Sequence, residues 1–391
     1  MKTINVAFIG AGNFIKAFHL KTAMYCPWMN IHAIADLNTE LLQKHAAALP
    51  VGYTTTDHRR VLTDPKVDLV IIGTKQDTHA KLIVESLDAG KWVYCEKPMA
   101  QTQQETETVL AAEARSIGRL AVGFNRRFAP AYQRAKYLFA NLPRPWFLNY
   151  RLMLPNPQKH QPGNYYSDQP HILYEGCHIL DVGCWLFDAV PTRVYMTGDR
   201  LVNNCCILEF EDGSQMQLMC GGMGSYCLPK EYLELFAEYH AITVNDFVDM
   251  RVRGFEGQFD RVYGTYMGEH QAEVMKYGFD FYDLYRAKET INRSRDIPAM
   301  PLEYVRRPTP VPFNVDDYSH ENPDVWAFVP DKGWEEALKH FARCFLEDRR
   351  PENADGKAGA LSTQLALDLL KSFDTKLPVI VSNADPYGRT P

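Results

Sequence analysis

The sequence has 391 residues, of which 46% are hydrophobic and 23% are charged, and its formal net charge is −6. These values are typical of a soluble globular protein with two or three domains. The negative charge argues against a nucleic-acid partner or an anionic membrane partner. No run approaches the roughly 20 apolar residues that span a bilayer. The start, MKTINVAFIGAG, lacks signal-peptide features, so a cytoplasmic protein is predicted.

The nine cysteines are scattered along the chain and include no CxxC pair. This pattern indicates reduced, buried thiols rather than a disulfide framework. No spacing of cysteine and histidine matches a zinc site, so no metal is predicted.

Five short β-branched runs alternate with helical patterns in the first 125 residues. The runs are INVAFIG, NIHAIAD, DLVIIGT, KWVYCEK and RLAVGFN, and the helical patterns start near Phe14, Thr39, Thr78 and Thr102. This alternation predicts an α/β fold with a doubly wound parallel sheet covered by helices on both faces. Such a sheet binds ligands beyond the carboxyl ends of its strands.

A glycine-rich turn, GAGNFI, lies between the first predicted strand and the helix that follows. Gly10 permits the tight turn, and Gly12 lets a pyrophosphate approach the backbone at a helix N-terminus. Ile15 stands where the dinucleotide fingerprint has a third small residue. Asp36 ends the next strand, near the spacing of about 20 residues expected for a ribose-binding carboxylate. Together these residues predict a dinucleotide site.

Asp36 also indicates which dinucleotide is bound. A carboxylate hydrogen-bonds a free ribose 2′-hydroxyl and repels a 2′-phosphate. Leu37 and Asn38 follow it, so no arginine stands ready for that phosphate. NAD is therefore predicted in preference to NADP.

Lys97 ends the fourth strand, in YCEKPMA, directly before a proline. An ammonium group at the cofactor end of the sheet can polarise a substrate oxygen. The alternative interpretation is a solvated surface lysine, the commoner position of a lysine.

The stretch YEGCHILD, residues 174–181, joins an imidazole, two carboxylates and a phenol. If residues 177–187 form a helix, His178 and Asp181 share one face. His178 is then placed to accept a hydroxyl proton. The alternative is a core helix with a hydrogen-bonded histidine, and the upstream cofactor site and Lys97 favour the catalytic interpretation.

GAGNF, VIIGTKQDTHAKLIVESLDAGKWVYCEKPMA and GFNRRFAP resemble the glucose–fructose oxidoreductase and inositol dehydrogenase superfamily, Gfo/Idh/MocA, whose signature is Glu96-Lys97-Pro98. The matches cover residues 4 to about 250 and resume at DKGWEEALKHF. The resemblance implies an NAD-binding Rossmann domain over 1–125. It also implies an α/β domain over 126–391 with a large open, mostly antiparallel sheet, and a homodimer or homotetramer.

The resemblance also implies roles for individual residues. Lys97 matches the active-site lysine, while His178 and Asp181 match the histidine and the closing acid of a D-x-G-x-H-x-x-D element. Tyr174 replaces the first aspartate, and EGCHILD is similar to a branch that reads GEGCHFID. The predicted catalytic residues are Lys97, Tyr174, His178 and Asp181. The predicted cofactor-binding residues are Gly10, Gly12, Asn13, Phe14, Ile15, Asp36, Thr74, Gln76, His79, Glu96, Lys97 and Asn125.

Substrate contacts are predicted around the same crevice. Of Arg126 and Arg127, one is expected to bind substrate and the other to form a structural ion pair, with Arg126 assigned to substrate. Glu175 has two open interpretations, helix N-terminal charge or substrate ligand. The predicted substrate-binding residues are Lys97, Arg126, Asp168, Tyr174, Glu175 and His178.

Two features lie outside this site. Asp212-Gly213 predicts a hairpin turn between two strand patterns. Residues from about 255 to 330 form an insert rich in tyrosine, phenylalanine and proline, which is interpreted as either a specificity flap or an oligomer interface.

Three hypotheses for function follow. The first is an NAD-dependent enzyme that oxidises a secondary hydroxyl of a sugar, glycoside or cyclitol. The second is a glycoside-cleaving enzyme that oxidises, eliminates, hydrates and reduces with its cofactor recycled. The third is a non-catalytic regulator that binds NAD and sugar, a possibility raised by the loss of the aspartate at Tyr174.

Overall fold

The computed structural model describes residues 2–154, 168–224, 229–263 and 330–381. Most of the predicted aromatic insert, residues 264–329, lies outside these described residues. Within these ranges, no helix combines the length and the apolar character that crossing a bilayer requires.

The first sheet has six parallel strands in the order β3-β2-β1-β4-β5-β6. Its strands are β1 Ile4–Ile9, β2 Met29–Ala35, β3 Tyr53–Thr55, β4 Leu69–Ile72, β5 Trp92–Cys95 and β6 Leu120–Val122. The five predicted strands are confirmed. The sequence prediction missed β3, a half-buried strand of three residues with too few positions to show a period.

Helices connect the strands of this first sheet. Their bounds are α1 Asn13–Ile15 continued by a π-type turn at Lys16–Leu20 and by Lys21–Tyr25, α2 Thr39–Ala48, α3 His58–Thr63, α4 His79–Asp88 and α5 Gln103–Arg115. The predicted helix starts are confirmed to within one residue. Thr102 and Glu105 form a reciprocal capping box at the start of α5, which explains why that boundary was readable.

The second sheet has nine strands in the order β14-β13-β12-β11-β7-β10-β9-β8-β15. Its strands are β7 Phe147–Met153, β8 Arg193–Gly198, β9 Asn204–Glu209, β10 Gln215–Gly221, β11 Glu231–Ala237, β12 His240–Asn245, β13 Asp249–Arg253, β14 Arg261–Val262 and β15 Val379–Ile380. All neighbouring strands are antiparallel except β7 and β10. The mostly antiparallel sheet and the hairpin at Gly213, with φ +82°, are confirmed.

Four further helices pack on the sheets. They are α6 Pro130–Phe139, α7 formed by a π-type turn at Ile172–Gly176 and by Cys177–Phe187, α8 Trp334–Glu347 and α9 Gly356–Thr375. The apolar face of α8, with Leu338 and Phe341, belongs to the core of the first sheet. The chain therefore returns to the first sheet after completing most of the second, and the proposed division at residue 125 stays a prediction.

Helix α9 joins the two parts of the molecule. Its Thr363 hydroxyl donates to the carbonyl of Ala100, 3.2 Å away, just beyond β5. Its Ser362 hydroxyl donates to the carbonyl of Cys177 at 2.9 Å, beside His178. The start of α7 is therefore held against the carboxyl ends of the first sheet.

Candidate active site

The glycine turn after β1 has the shape that a dinucleotide requires. Gly10 has φ +83°, and a Cβ built there would lie 2.7 Å from the carbonyl oxygen of Gly73. A Cβ built at Gly12 would meet no heavy atom within 4 Å. The turn is thus closed on the side of the sheet and open on the outer side, where a pyrophosphate would contact the N-terminus of α1.

Ile15 does not crowd this turn. Its side chain is buried and points at Gly73, where an added Cβ would lie only 2.1 Å from its Cδ1 atom. The missing small residue in α1 is therefore compensated by a glycine at the end of β4. In the usual fingerprint the small residue is in the helix. Here the large residue is in the helix and the small one follows the strand, and the close helix–strand packing is kept.

Asp36 lies over the glycine turn. Its Oδ2 atom accepts a hydrogen bond from the backbone N–H of Ala11 at 2.8 Å, and its Oδ1 atom accepts one from Asn38 at 2.9 Å. A carboxylate has about four acceptor positions, so this group retains capacity for the hydroxyls of a ribose. The residues of the turn and Asp36 therefore fit an NAD molecule.

The other predicted cofactor residues differ in their burial and contacts. Gln76 is buried, and its Oε1 atom has no hydrogen-bond partner within the described ranges. Thr74 shares a 2.6 Å hydroxyl contact with Thr78. His79 is buried, which lowers its pKa, and its Nδ1 atom lies 2.8 Å from the carbonyl of Pro98. His79 therefore ties the loop after β4 to the turn that carries Lys97.

At the start of α1, Asn13 and Phe14 are exposed. The Phe14 ring lies 6.0 Å from Trp334, the first residue of α8. Asn125, after β6, is fully buried and donates from Nδ2 to the carbonyl of Lys332 at 2.7 Å. The segment that precedes α8 is therefore fixed beside the cofactor crevice.

Glu96 pairs with a residue that the sequence prediction missed. Its Oε1 atom lies 2.7 Å from Nε2 of His19, on α1, and both side chains are buried. This contact connects the helix after the glycine turn to the residue before Lys97. No local pattern in the sequence indicates the contact between His19 and Glu96, because the two residues are 77 positions apart.

Lys97 reaches from the first sheet to α7. Its Nζ atom donates to the backbone carbonyl of Tyr174 at 2.8 Å, and it lies 3.9 Å from Oε1 of Glu175. Tyr174 is one turn before His178 on the same helical segment, so the structure brings these predicted residues to one place. The Tyr174 side chain is buried, with its ring 5.1 Å from that of His171.

His178 is buried near the start of α7 with its ring edge-on to Phe124 at 5.8 Å. Its Nδ1 atom has no hydrogen-bond partner among the described residues. Burial, together with the positive charges of Arg126 and Lys97, holds the pKa of His178 well below its ordinary range. The imidazole is therefore neutral, and its Nδ1 atom can accept or donate one further hydrogen bond, to a ligand or to water.

Arg126 and Arg127, which follow β6, both form buried ion pairs. Arg127 makes a bidentate pair with Asp181, with N–O distances of 2.9 and 2.5 Å. Arg126 makes a bidentate pair with Glu231 at 2.7 and 2.8 Å. The structure thus places Asp181 against Arg127, and the assignments of Arg126 and Asp181 to substrate or catalysis stay predictions.

Three charged residues near the predicted site, Glu231, Lys332 and Lys230, were not predicted. Glu231 is fully buried and accepts hydrogen bonds from Arg126, from Lys332 at 2.7 Å and from the hydroxyl of Tyr150 at 2.6 Å. Lys230 lies 3.5 Å from Glu175. Asp168, by contrast, was predicted to bind substrate; it is exposed at the edge of a described range, and its role stays a prediction. Pairing across 55 to 105 residues leaves no sequence periodicity that could have identified these partners.

Comparison with known proteins identifies the class to which this fold and turn belong. Residues 4–124 match the model of an oxidoreductase family with an NAD-binding Rossmann fold, GFO_IDH_MocA. The apo scyllo-inositol dehydrogenase of Lactobacillus casei has the same fold, with a TM-score of 0.72 over 98% of this chain and 99% of that one, at 17% identity.

Two curated relatives agree with this match. An uncharacterized oxidoreductase of Bacillus subtilis, YrbE, is 31% identical over 52% of this chain and 59% of its own length. The levoglucosan dehydrogenase of Pseudarthrobacter phenanthrenivorans is 33% identical over 35% of this chain and 37% of its own. The chain thus matches from about a third to somewhat over half of these relatives. Its N-terminal part, residues 4–124, is similar to the Gfo/Idh/MocA oxidoreductase family, in agreement with the resemblance seen in the sequence.

Proposed function

We propose that this protein is an NAD-dependent oxidoreductase that acts on a secondary hydroxyl of a sugar, glycoside or cyclitol. The observation that carries the proposal is the neutral, buried imidazole of His178, whose Nδ1 atom has no partner among the described residues. Lys97, which follows β5 of the first sheet, donates a hydrogen bond to the carbonyl of Tyr174, one turn before His178. The names of the relatives, which include levoglucosan and scyllo-inositol dehydrogenases, support the substrate class.

The residues divide the reaction between them. His178 accepts the proton of the substrate hydroxyl, since an unprotonated imidazole is a suitable base near neutral pH. Lys97 stabilises the negative charge that develops on that oxygen. Gly10, Gly12 and Asp36 would hold NAD. NAD, when bound, would accept the hydride.

The test is turnover of a defined panel by the purified chain. The panel contains D-glucose, levoglucosan, methyl glucosides, myo-inositol and scyllo-inositol, each with NAD⁺ and with any co-purified cofactor measured first. We expect NADH to form in equal amount with a ketone product for at least one compound, and NADP⁺ to be the poorer acceptor.

Two other outcomes would contradict the proposal. Cleavage of a glycoside without net NADH would indicate the cofactor-recycling reaction. Binding of NAD and a sugar without any product, unchanged in a His178→Ala variant, would indicate a regulator.

A further inference from the structure

A chain of three alternating charges includes Lys97 of the candidate active site. Glu175 lies between Lys97, whose Nζ atom is 3.9 Å from Oε1, and Lys230, whose Nζ atom is 3.5 Å from Oε2. Lys97 comes from the first sheet, Glu175 from the start of α7, and Lys230 from the residue before β11. Three separate elements therefore supply this cluster.

Glu175 connects this cluster to the helical segment that carries His178. Glu175 directly follows Tyr174, whose carbonyl binds Lys97, and it precedes His178 by three positions, a spacing that places the two side chains on neighbouring parts of one helix face. Lys97, Glu175 and Lys230 are 15%, 13% and 27% exposed, whereas His178 is 5% exposed. The side chains of Glu175 and Lys230 are thus more exposed than His178.

The contact between Glu175 and Lys230 contributes less to stability than the buried arginine pairs do. Its N–O distance of 3.5 Å is longer than the 2.7–2.9 Å typical of a charge-assisted hydrogen bond, and partly exposed ion pairs contribute little to folding. The fully buried pairs of Arg126 and Arg127 are closer, at 2.5 to 2.9 Å. Substitution of Lys230 should therefore leave the fold largely intact.

We infer that Glu175 and Lys230 form a subsite for the hydroxyl on the carbon next to the one that is oxidised. A hydroxyl both donates and accepts, so it can donate to the carboxylate of Glu175 and accept from the ammonium of Lys230. The substrate class is then a vicinal diol with both hydroxyls free. This inference rests on the proposed function and adds Lys230 as a specificity-determining residue.

The experiment combines a variant with substrates that lack one hydroxyl. Wild type and Lys230→Met are compared on the best substrate among D-glucose, levoglucosan and myo-inositol, and on each of its monodeoxy analogues. In the wild type, we expect one analogue to lose about tenfold or more in kcat/KM, because a hydrogen bond to a charged group is missing. In Lys230→Met, the parent should fall by a similar factor and that analogue should lose nothing further.

Lys44→Met is the matched control, because Lys44 forms an exposed pair with Glu40 at 3.2 Å on α2. It should leave the discrimination between parent and analogue unchanged. Glu175→Gln, which keeps the side-chain size, provides the same comparison if Lys230→Met does not fold.

An active wild type whose discrimination is the same in Lys230→Met and Glu175→Gln would overturn this inference alone. An equal loss on the parent and on every analogue would do so as well, because it would indicate a general structural effect. A wild type that turns over no compound of the panel would instead overturn the proposed function.

Discussion

At the scale of single residues, the protonation state of His178 decides what the site can do. Burial and two positive neighbours, Arg126 and Lys97, keep the imidazole neutral at neutral pH. A protonated imidazole has no lone pair for a proton, so it cannot act as the base. The rate of substrate oxidation should therefore stay constant as the pH falls, until the pH reaches the lowered pKa of His178.

We accordingly expect kcat/KM for oxidation to stay constant on the acid side down to well below pH 6.5, the ordinary value for histidine. His178→Asn should lower kcat by about 10²- to 10⁴-fold and remove this acidic limb. The measurement is the pH dependence of initial rates at saturating NAD⁺.

His58→Asn is the control, since His58 pairs with Glu85 at 2.6 Å and is not among the predicted site residues, so the variant should leave the profile unchanged. A His178→Asn variant with near wild-type kcat and the same limb would exclude His178 as the base.

At the scale of elements, two glycines near the contact between α1 and β4 have different roles. Gly73 allows the two elements to pack closely, and Gly12 leaves space for NAD. Ile15 packs on Gly73, while Gly12 faces open space with an ordinary φ of −64°. A methyl group at position 73 collides with packed atoms, whereas a methyl group at position 12 enters only the space that the pyrophosphate would occupy. The same substitution should thus have opposite consequences at the two glycines.

Gly12→Ala should change the free energy of unfolding by less than about 0.5 kcal/mol and strongly weaken NAD binding. Gly73→Ala should destabilise the protein by about 1 to 3 kcal/mol through overpacking. Adding Ile15→Ala to Gly73→Ala should recover part of that loss, so the two changes are not additive. Denaturant unfolding and calorimetric NAD titration measure both quantities, and strict additivity would contradict the proposed contact.

At the scale of the whole molecule, a buried charge network joins the two sheets. Glu231 on β11 binds Arg126 from the loop after β6 and Lys332 from the segment before α8. Burial raises the pKa of Glu231, but the positive charges of Arg126 and Lys332 outweigh it and hold that pKa well below its ordinary range. The carboxylate therefore stays ionised, and its removal would leave two buried cations without their shared partner.

Glu231→Leu should lower the free energy of unfolding by about 3 to 5 kcal/mol, the cost of breaking a buried ion pair on one side. Asp374→Asn, which removes the exposed partner of Arg200 at 3.0 Å, should cost at most about 1 kcal/mol. Equal losses for the two variants in denaturant unfolding would show that the network stabilises the protein no more than an exposed pair does.

Much of the fold was readable from the sequence because its signals are local. The five strands INVAFIG to RLAVGFN, the cap at Thr102 and the hairpin at Gly213 each depend on a few adjacent residues. The glycine turn with Asp36 was readable for the same reason, since one βαβ unit contains the whole pattern. The short strand β3 was missed because three residues show no period.

The amino-acid sequence by itself determined the Rossmann sheet, its dinucleotide turn and the helix that carries His178. Only the tertiary structure decided which charges meet: Lys97 with the turn before His178, Glu175 with Lys230, and Arg126 with Glu231. Backbone propensity and hydrophobic period act over a few residues, whereas these contacts join residues 55 to 105 positions apart. Such pairs depend on how the two sheets pack together, and no local pattern encodes that packing.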